Sequence, residues 1–153
     1  MYAITVRQPY ASMLVFKPDV KRYETRSWWP PSVVNRDIGQ RVAIHAAKVI
    51  DKDAPDVPDD VPKPLPLGVV LATATLTDVL RVTKYEHDGT AWIATAHSVA
   101  QGRDTIVKAI ESKWSDMADG RYLWQFDDIE PITPPVPMTG HLGLWHFADE
   151  LLS

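Results

Sequence analysis

The stretch GVVLATATLTDVL, residues 68–80, is the strongest strand-forming segment of the chain and indicates the fold class. Valine, leucine and threonine dominate it, and such side chains favour an extended, pleated backbone. Segments of similar character predict further strands at residues 2–8, 22–28, 41–48, 122–126 and 141–147. Five or six strands with two or three flanking helices predict a small α+β domain with a curved sheet or barrel.

Helical patterns occur in two places. PYASMLVF, residues 9–16, follows the first strand, and Pro9 suits the first helical position because that position needs no amide donor. Lys17 is expected to end this helix because the residue before a proline is disfavoured in helical backbone. Residues 90–115 have helical spacing and predict a longer helix, with an apolar stripe formed by Ile106, Val107, Ile110 and Trp114.

Length and composition are typical of one globular domain spanning residues 1–153, with 45% hydrophobic and 24% charged residues. The absence of cysteine excludes a disulfide, a thiolate nucleophile and a cysteine zinc site. No apolar run of about 18 residues and no signal-peptide pattern is found, so we expect a cytoplasmic protein that does not enter membranes. Residues 51–66 contain five Asp and five Pro, which predicts an exposed loop within the domain.

Charge is divided unevenly along the chain. The net charge of −4 argues against strong binding to a long phosphate backbone, which needs many Lys and Arg residues. Residues 1–50 nevertheless carry eight basic and three acidic side chains, whereas residues 51–153 carry eight basic and seventeen acidic ones. An anionic partner is therefore expected to be a single nucleotide or a short strand rather than a long duplex.

The stretch VKRYETRSWWPP, residues 20–31, lies in the basic part and places Lys21, Glu24 and Arg26 within six residues. Alternation along a strand directs Glu24 and Arg26 to one face and Thr25 to the other. Residues 21 and 24 would lie on opposite faces of a continuous strand. Lys21 can therefore approach Glu24 only if it lies in the bend before the strand. A lysine and a carboxylate side by side in a cleft can hold a proton near neutral pH, as general acid and base catalysis requires.

Five motifs carry a resemblance to a known family. They are RQPYA at 7–11, the Lys-x-x-Glu-x-Arg spacing at 21–26 followed by Trp28, IHAAK at 44–48, YLWQF at 122–126 and GHLGLW at 140–145. In this order the chain resembles, nearly from end to end, the ASCH domains of the PUA-like superfamily. It is similar in particular to the ASCH proteins related to the endothelial lipopolysaccharide-associated factor. The resemblance implies a PUA-like β-barrel with a cleft for a nucleobase. It also implies a link to RNA binding, to RNA cleavage and, in some bacterial members, to hydrolysis of N4-acetylcytidine.

Two departures from the family pattern bear on function. Asp19 replaces the glycine that usually stands two residues before the motif lysine. In the small bacterial amidohydrolases a threonine lies three residues after that lysine and a catalytic glutamate follows later in the chain. Here Glu24 occupies the place of the threonine, and the later glutamate has no match. The catalytic set of those enzymes is therefore not carried over.

The motif residues nevertheless suit the metal-free hydrolysis of an N4-acylated cytosine or cytidine. Glu24 can activate water and return its proton to the departing amine, Lys21 can donate to the oxyanion, and Arg26 can orient Glu24 through a forked ion pair. Tyr10 or Trp28 can stack on the base. The same cleft equally suits recognition of a modified nucleoside or short single-stranded RNA without catalysis. A third hypothesis is a ribonuclease in which Lys21 and Glu24 handle a 2′-hydroxyl and a phosphate.

Each candidate also has a plainer interpretation. Glu24 and Arg26 suit a surface ion pair that contributes about 0 to 1 kcal/mol. Thr25 is expected to face away from Glu24, which makes it a weaker candidate for a nucleophile, and it remains a candidate for orienting or binding the substrate. Arg7 suits either phosphate binding or a salt bridge. His45 is expected as a core histidine, or else as a residue that lines the cleft with Lys48.

Neither a metal site nor a cofactor is predicted. His141 and His146 are expected on opposite faces of one strand, which is wrong for shared metal ligation. The chain has no glycine-rich phosphate loop and no Ser-His-Asp arrangement.

Overall fold

The structure is a computed structural model that describes residues 1–27, 39–85, 91–95, 104–107, 114–115 and 121–153. The described part is mostly sheet. Its strands are β1 (Tyr2–Gln8), β2 (Tyr23–Arg26), β3 (Arg41–Ile50), β4 (Val69–Tyr85), β5 (Ala91–Thr95), β6 (Asp104–Val107), β7 (Tyr122–Pro137) and β8 (Leu144–His146). The helix α1 spans Tyr10–Phe16, and a 3₁₀ helix spans Asp149–Leu152.

Local sequence signals account for the limits of α1. The helix begins directly after Pro9, whose carbonyl accepts the amide of Met13 at 3.0 Å. It ends at Phe16, and Lys17 adopts non-helical backbone with φ −131° and ψ 55°, as expected before a proline.

The strands expected around β1 and β3 are confirmed, because alternating and continuous apolar patterns are local signals. β4 and β7 run well beyond the expected residues 68–80 and 122–126. β8 is shorter than the expected 141–147. The expected strand at 22–28 is described as β2, and residue 28 lies outside the described part.

The prediction of a helix over residues 90–115 is wrong for the described residues of this stretch that have regular secondary structure. Ala91–Thr95 and Asp104–Val107 are instead the strands β5 and β6, which pair antiparallel with each other. β5 also pairs with β4. Pairing with neighbouring strands therefore overrides the helical spacing of the apolar residues. Ile110 of the expected stripe lies outside the described residues.

Hydrogen bonding orders the strands β2-β7-β4-β3-β1-β8, with β5 beside β4 and β6 beside β5. Among the described residues no pairing joins β2 to β8, so this path is open and not closed into the expected barrel. The same residues form eight strands and one α-helix, where five or six strands and two or three helices were expected. The end strands have only four and three residues, and short strands offer few backbone groups for a further pairing.

The chain divides into two compact units. The first contains residues 1–18, 41–75 and 127–153, and the second contains residues 19–40 and 76–126. In the first unit β1 pairs parallel with β3 and antiparallel with β8. The five consecutive residues 42–46 of β3 are all buried, so both faces of this strand are covered.

In the second unit β2 pairs antiparallel with β7, and Arg26 lies opposite Tyr122. On β4 the Val82 amide donates to the Arg121 carbonyl at 2.9 Å. One face of these strands is apolar, with a buried cluster of Tyr23, Leu80, Val82 and Leu123. The opposite face carries the polar residues of the candidate site.

Residues 51–66 contain neither helix nor strand, and all of them except the buried Val61 are exposed or partly exposed. An ion pair between Lys17 and Asp60, with 2.7 Å between Nζ and Oδ2, ties this segment to the end of α1. Within the described ranges, no helix reaches the length and apolar character needed to cross a membrane.

Candidate functional site

The candidate site is built around β2 in the second unit. Lys21 lies in the segment before this strand, where side chains need not alternate between the two faces of the sheet. Its side chain is 1% exposed. The ammonium donates hydrogen bonds to the carbonyl oxygens of Tyr23 at 2.7 Å and Trp114 at 2.8 Å, and to Ser115 Oγ at 3.3 Å. An ammonium has three N–H donors, so protein acceptors match all of them.

Side chains also complete the outer edge of β2, an end strand of the sheet. The Tyr23 carbonyl accepts from Lys21 and from the Ser115 hydroxyl, the latter at 2.9 Å. The Thr25 amide donates to Oε1 of Glu24 at 3.0 Å. Polar side chains therefore take the place of a further strand, and this protects the edge from pairing.

Glu24 is buried beside this edge. It is 9% exposed and lies opposite Trp124, which has no exposed surface. Its Oε2 atom is buried and has no hydrogen-bond partner among the described residues. A buried acceptor left without a partner costs about 1 to 3 kcal/mol, and a catalytic role is one reason for a protein to retain one. Oε2 is therefore a hydrogen-bond acceptor that the described residues leave unused.

Charge interactions connect Lys21 with Glu24 and Arg26. Burial lowers the pKa of the Lys21 amine because desolvation disfavours the ammonium form. The Glu24 carboxylate raises this pKa and so opposes the shift, whereas the Arg26 guanidinium lowers it further. The buried amine thus gives up its proton more readily than an exposed lysine, and Glu24 is the neighbour that favours its charged form.

Arg26 extends the polar face on which Glu24 lies. It stands opposite Tyr122 of β7, and the side chains of an opposed pair lie on the same side of a sheet. Cζ of Arg81 lies 5.8 Å from the centre of the Tyr122 ring, within the range of a cation–π interaction. Arg81 is exposed, while Arg26 and Tyr122 are half-buried. The Tyr122 ring, with the Arg81 guanidinium over it, therefore lies on the same side of the sheet as Glu24 and Arg26.

Sequence reasoning missed four residues of this site. Arg81 and Tyr122 each occur in an ordinary strand pattern, and only strand pairing brings them together. Trp114 and Ser115 were assigned to the expected helix, although they bind Lys21 from 93 and 94 positions along the chain. A local pattern has no signal for either contact.

Thr25 lies on the face away from Glu24, as strand alternation requires. Its partner across the pair is Leu123, which belongs to the apolar cluster together with Tyr23. The Thr25 hydroxyl is buried and has no hydrogen-bond partner within the described part of the chain. A ligand at Glu24 is therefore not expected to meet this hydroxyl.

Arg7, Tyr10 and Lys48 belong to the first unit, whereas Lys21, Glu24 and Arg26 belong to the second. The Tyr10 hydroxyl donates to Oδ2 of Asp51 at 2.7 Å, and this bond is the main cause of a lowered pKa of that carboxyl, to which the Arg7 charge also contributes. Lys48 is exposed and lays its aliphatic stem over Gly68, where a Cβ would lie 2.8 Å from Lys48 Cε. Tyr10 and Lys48 thus have structural contacts within the first unit.

His45, also in the first unit, is 2% exposed. Its Nε2 lies 2.7 Å from the Met138 carbonyl, which can only accept, so Nε2 carries the proton. Nδ1 then accepts from the Thr5 hydroxyl at 3.3 Å, and Thr5 Oγ1 accepts from Trp145 Nε1 at 2.9 Å. Burial lowers the pKa of His45, and the bond to Met138 opposes that shift. His45 is therefore a neutral, hydrogen-bonded core histidine.

The stacking candidate Trp28 lies outside the described residues. In the part of the chain that the structure does describe, no three His, Cys, Asp or Glu residues are grouped so that they could hold a metal ion.

No protein-family model matches the sequence, and no curated protein matches it significantly. The similarity to ASCH domains remains a prediction that rests on the sequence motifs.

Proposed function

We propose that the chain is an ASCH-type domain of the PUA-like superfamily that hydrolyses N4-acylated cytosine or cytidine, with Glu24 as the general base. One observation carries this proposal. Oε2 of Glu24 is a buried carboxylate oxygen without a partner among the described residues, and Glu24 interacts electrostatically with Lys21. The Lys-x-x-Glu-x-Arg spacing, which is part of the family resemblance, supports the same assignment.

The proposed reaction breaks the amide bond between N4 and the acyl carbon. Glu24 takes a proton from water while the water oxygen bonds to the acyl carbon. The carbon–nitrogen bond then breaks, and Glu24 returns the proton to N4. The products are cytosine with a free amino group and a carboxylic acid, which ionises by releasing its proton to solvent at neutral pH.

Lys21 stabilises the oxyanion in this scheme. Its bonds to the carbonyls of Tyr23 and Trp114 are short, whereas the 3.3 Å bond to Ser115 Oγ is the weakest of the three. An oxyanion can replace the Ser115 hydroxyl as the third acceptor of the Lys21 ammonium, and this exchange breaks only the weak 3.3 Å bond. Burial that lowers the pKa of the amine also makes its N–H a stronger donor to a developing negative charge.

A binding module that recognises a modified base without changing it is the second candidate. The complete set of protein acceptors around the Lys21 ammonium favours it, because a lysine that holds the backbone together is less available for catalysis. In that case Glu24 accepts an N–H group of the base, and Lys21 keeps β2 in place.

The test follows the absorbance of N4-acetylcytidine as it changes to that of cytidine in the presence of purified protein. Glu24→Gln preserves the side-chain shape and the acceptor for the Thr25 amide but removes the base. We expect its turnover to fall by roughly 10² to 10⁴ while the substrate still binds. Thr25→Val is the matched control, since it changes the adjacent residue on the opposite face, and its turnover should stay close to wild type.

The two candidates give different outcomes. Equal turnover by the wild type and Glu24→Gln would rule out Glu24 as the base. Tight binding of the nucleoside by a wild-type protein that converts no acylated cytosine would leave the binding module as the function.

A further inference from the structure

Arg81 is an exposed arginine that the proposed hydrolysis does not use. Its guanidinium lies over the Tyr122 ring, with Cζ 5.8 Å from the ring centre. A guanidinium in contact with an aromatic ring keeps a planar fork of N–H donors, which matches the oxygens of a phosphate. Arg26 is the strand partner of Tyr122, so its side chain lies on the same side of the sheet as this ring.

The surroundings of this ring are more basic than the chain as a whole. The net charge of the chain is −4. Residues 19–27, 76–82 and 121–126, which contain β2 and parts of β4 and β7, carry five basic and three acidic side chains. The basic ones are Lys21, Arg22, Arg26, Arg81 and Arg121, and the acidic ones are Asp19, Glu24 and Asp78. A local excess of positive charge in an acidic chain favours an anionic ligand.

Glu24 and Arg26 are two residues apart on one face of β2, so their backbone positions are about 7 Å apart. A ribose spans a gap of this size. A ligand whose base meets Glu24 therefore places a phosphate on the ribose near the pair of arginines beside Tyr122.

We propose that the ligand of this site is a cytidine mononucleotide, with its phosphate bound by Arg81 and Arg26. The identity of the base rests on the proposed function, whereas the phosphate contact rests on the arginines and Tyr122. A phosphate monoester is favoured over a longer RNA strand because the acidic chain repels an extended phosphate backbone.

Titration calorimetry with cytidine, cytidine 5′-monophosphate and a cytidine-containing RNA trinucleotide tests this proposal without need for turnover. A charge-assisted hydrogen bond contributes about 1.5 to 3 kcal/mol, so the monophosphate should bind about 10- to 100-fold tighter than cytidine. Arg81→Gln should reduce this ratio to about threefold or less. Arg22→Gln, which removes an exposed arginine on the same segment as Lys21, should preserve the ratio and is the matched control for net charge.

Equal affinities for cytidine and its monophosphate in the wild type would overturn the phosphate contact and leave the proposed hydrolysis standing. Equal losses in Arg81→Gln and Arg22→Gln would overturn the assignment to Arg81, because general charge attraction would then explain the preference. Binding of neither ligand would also overturn the proposal, and tighter binding of the trinucleotide would overturn the choice of a mononucleotide. A phosphate preference in a protein that hydrolyses no acylated cytosine would support the ligand and contradict the reaction.

Discussion

Gly140 lies against the His45 ring, and its replacement by alanine tests the hydrogen-bonded histidine of the first unit. A Cβ atom at residue 140 would lie 2.6 Å from Cε1 and 2.8 Å from Nδ1 of His45, and 2.8 Å from Thr5 Oγ1. Carbon atoms in contact normally stay about 3.5 to 4.0 Å apart, so the ring or the segment has to move by roughly 1 Å. Movement of the ring away from residue 140 stretches or bends its 2.7 Å bond to the Met138 carbonyl.

The expected loss follows from this geometry. A buried hydrogen bond whose partners are left unsatisfied costs about 1 to 3 kcal/mol. Alanine recovers about 0.4 to 1 kcal/mol by restricting the unfolded chain. We therefore expect Gly140→Ala to lower the free energy of unfolding by about 1 to 2 kcal/mol. Urea unfolding followed by tryptophan fluorescence measures this change, and the slope against urea should not change.

A double-mutant cycle with His45→Ala identifies the cause of the loss. Two of the three atoms nearest to the new methyl group belong to the imidazole ring and the third is the rotatable Thr5 hydroxyl, so Gly140→Ala should cost far less in that background. An equal cost in both backgrounds, or a Gly140→Ala protein as stable as the wild type, would refute the reasoning.

Two further predictions concern stability. Burial holds the pKa of His45 in the folded protein below its ordinary value of about 6.5. In the pH range between the folded and unfolded pKa values, the unfolded chain binds a proton more readily than the folded protein does. The free energy of unfolding should therefore decrease as the pH falls below about 6.5. Urea unfolding at pH values above and below this range should show a smaller decrease in the free energy of unfolding for His45→Gln than for the wild type. The same dependence on pH in both proteins would contradict the assignment to His45. Thr25→Val removes a buried hydroxyl without a described partner and keeps a β-branched strand residue, so it should raise the free energy of unfolding by about 1 kcal/mol. A lower melting temperature for this variant would show that the hydroxyl contributes a hydrogen bond.

Elements whose signals are local were predictable from the sequence. The limits of α1 follow from Pro9 and Pro18, which act on the backbone of their immediate neighbours. The apolar patterns of β1 and β3 likewise depend only on the residues within each strand. The failure over residues 90–115 has the opposite cause, because β5 and β6 form through pairing with each other and with β4.

The sequence alone brought Lys21, Glu24 and Arg26 together, because they are close along the chain, and strand alternation alone separates Thr25 from Glu24. Only the tertiary structure decided how these groups are held. The carbonyl of Trp114 and the hydroxyl of Ser115 reach Lys21 from distant positions, and Arg81 meets Tyr122 across two strands. Such contacts have no local signal, because their energy arises only after the strands have paired and water has been excluded from the groups between them.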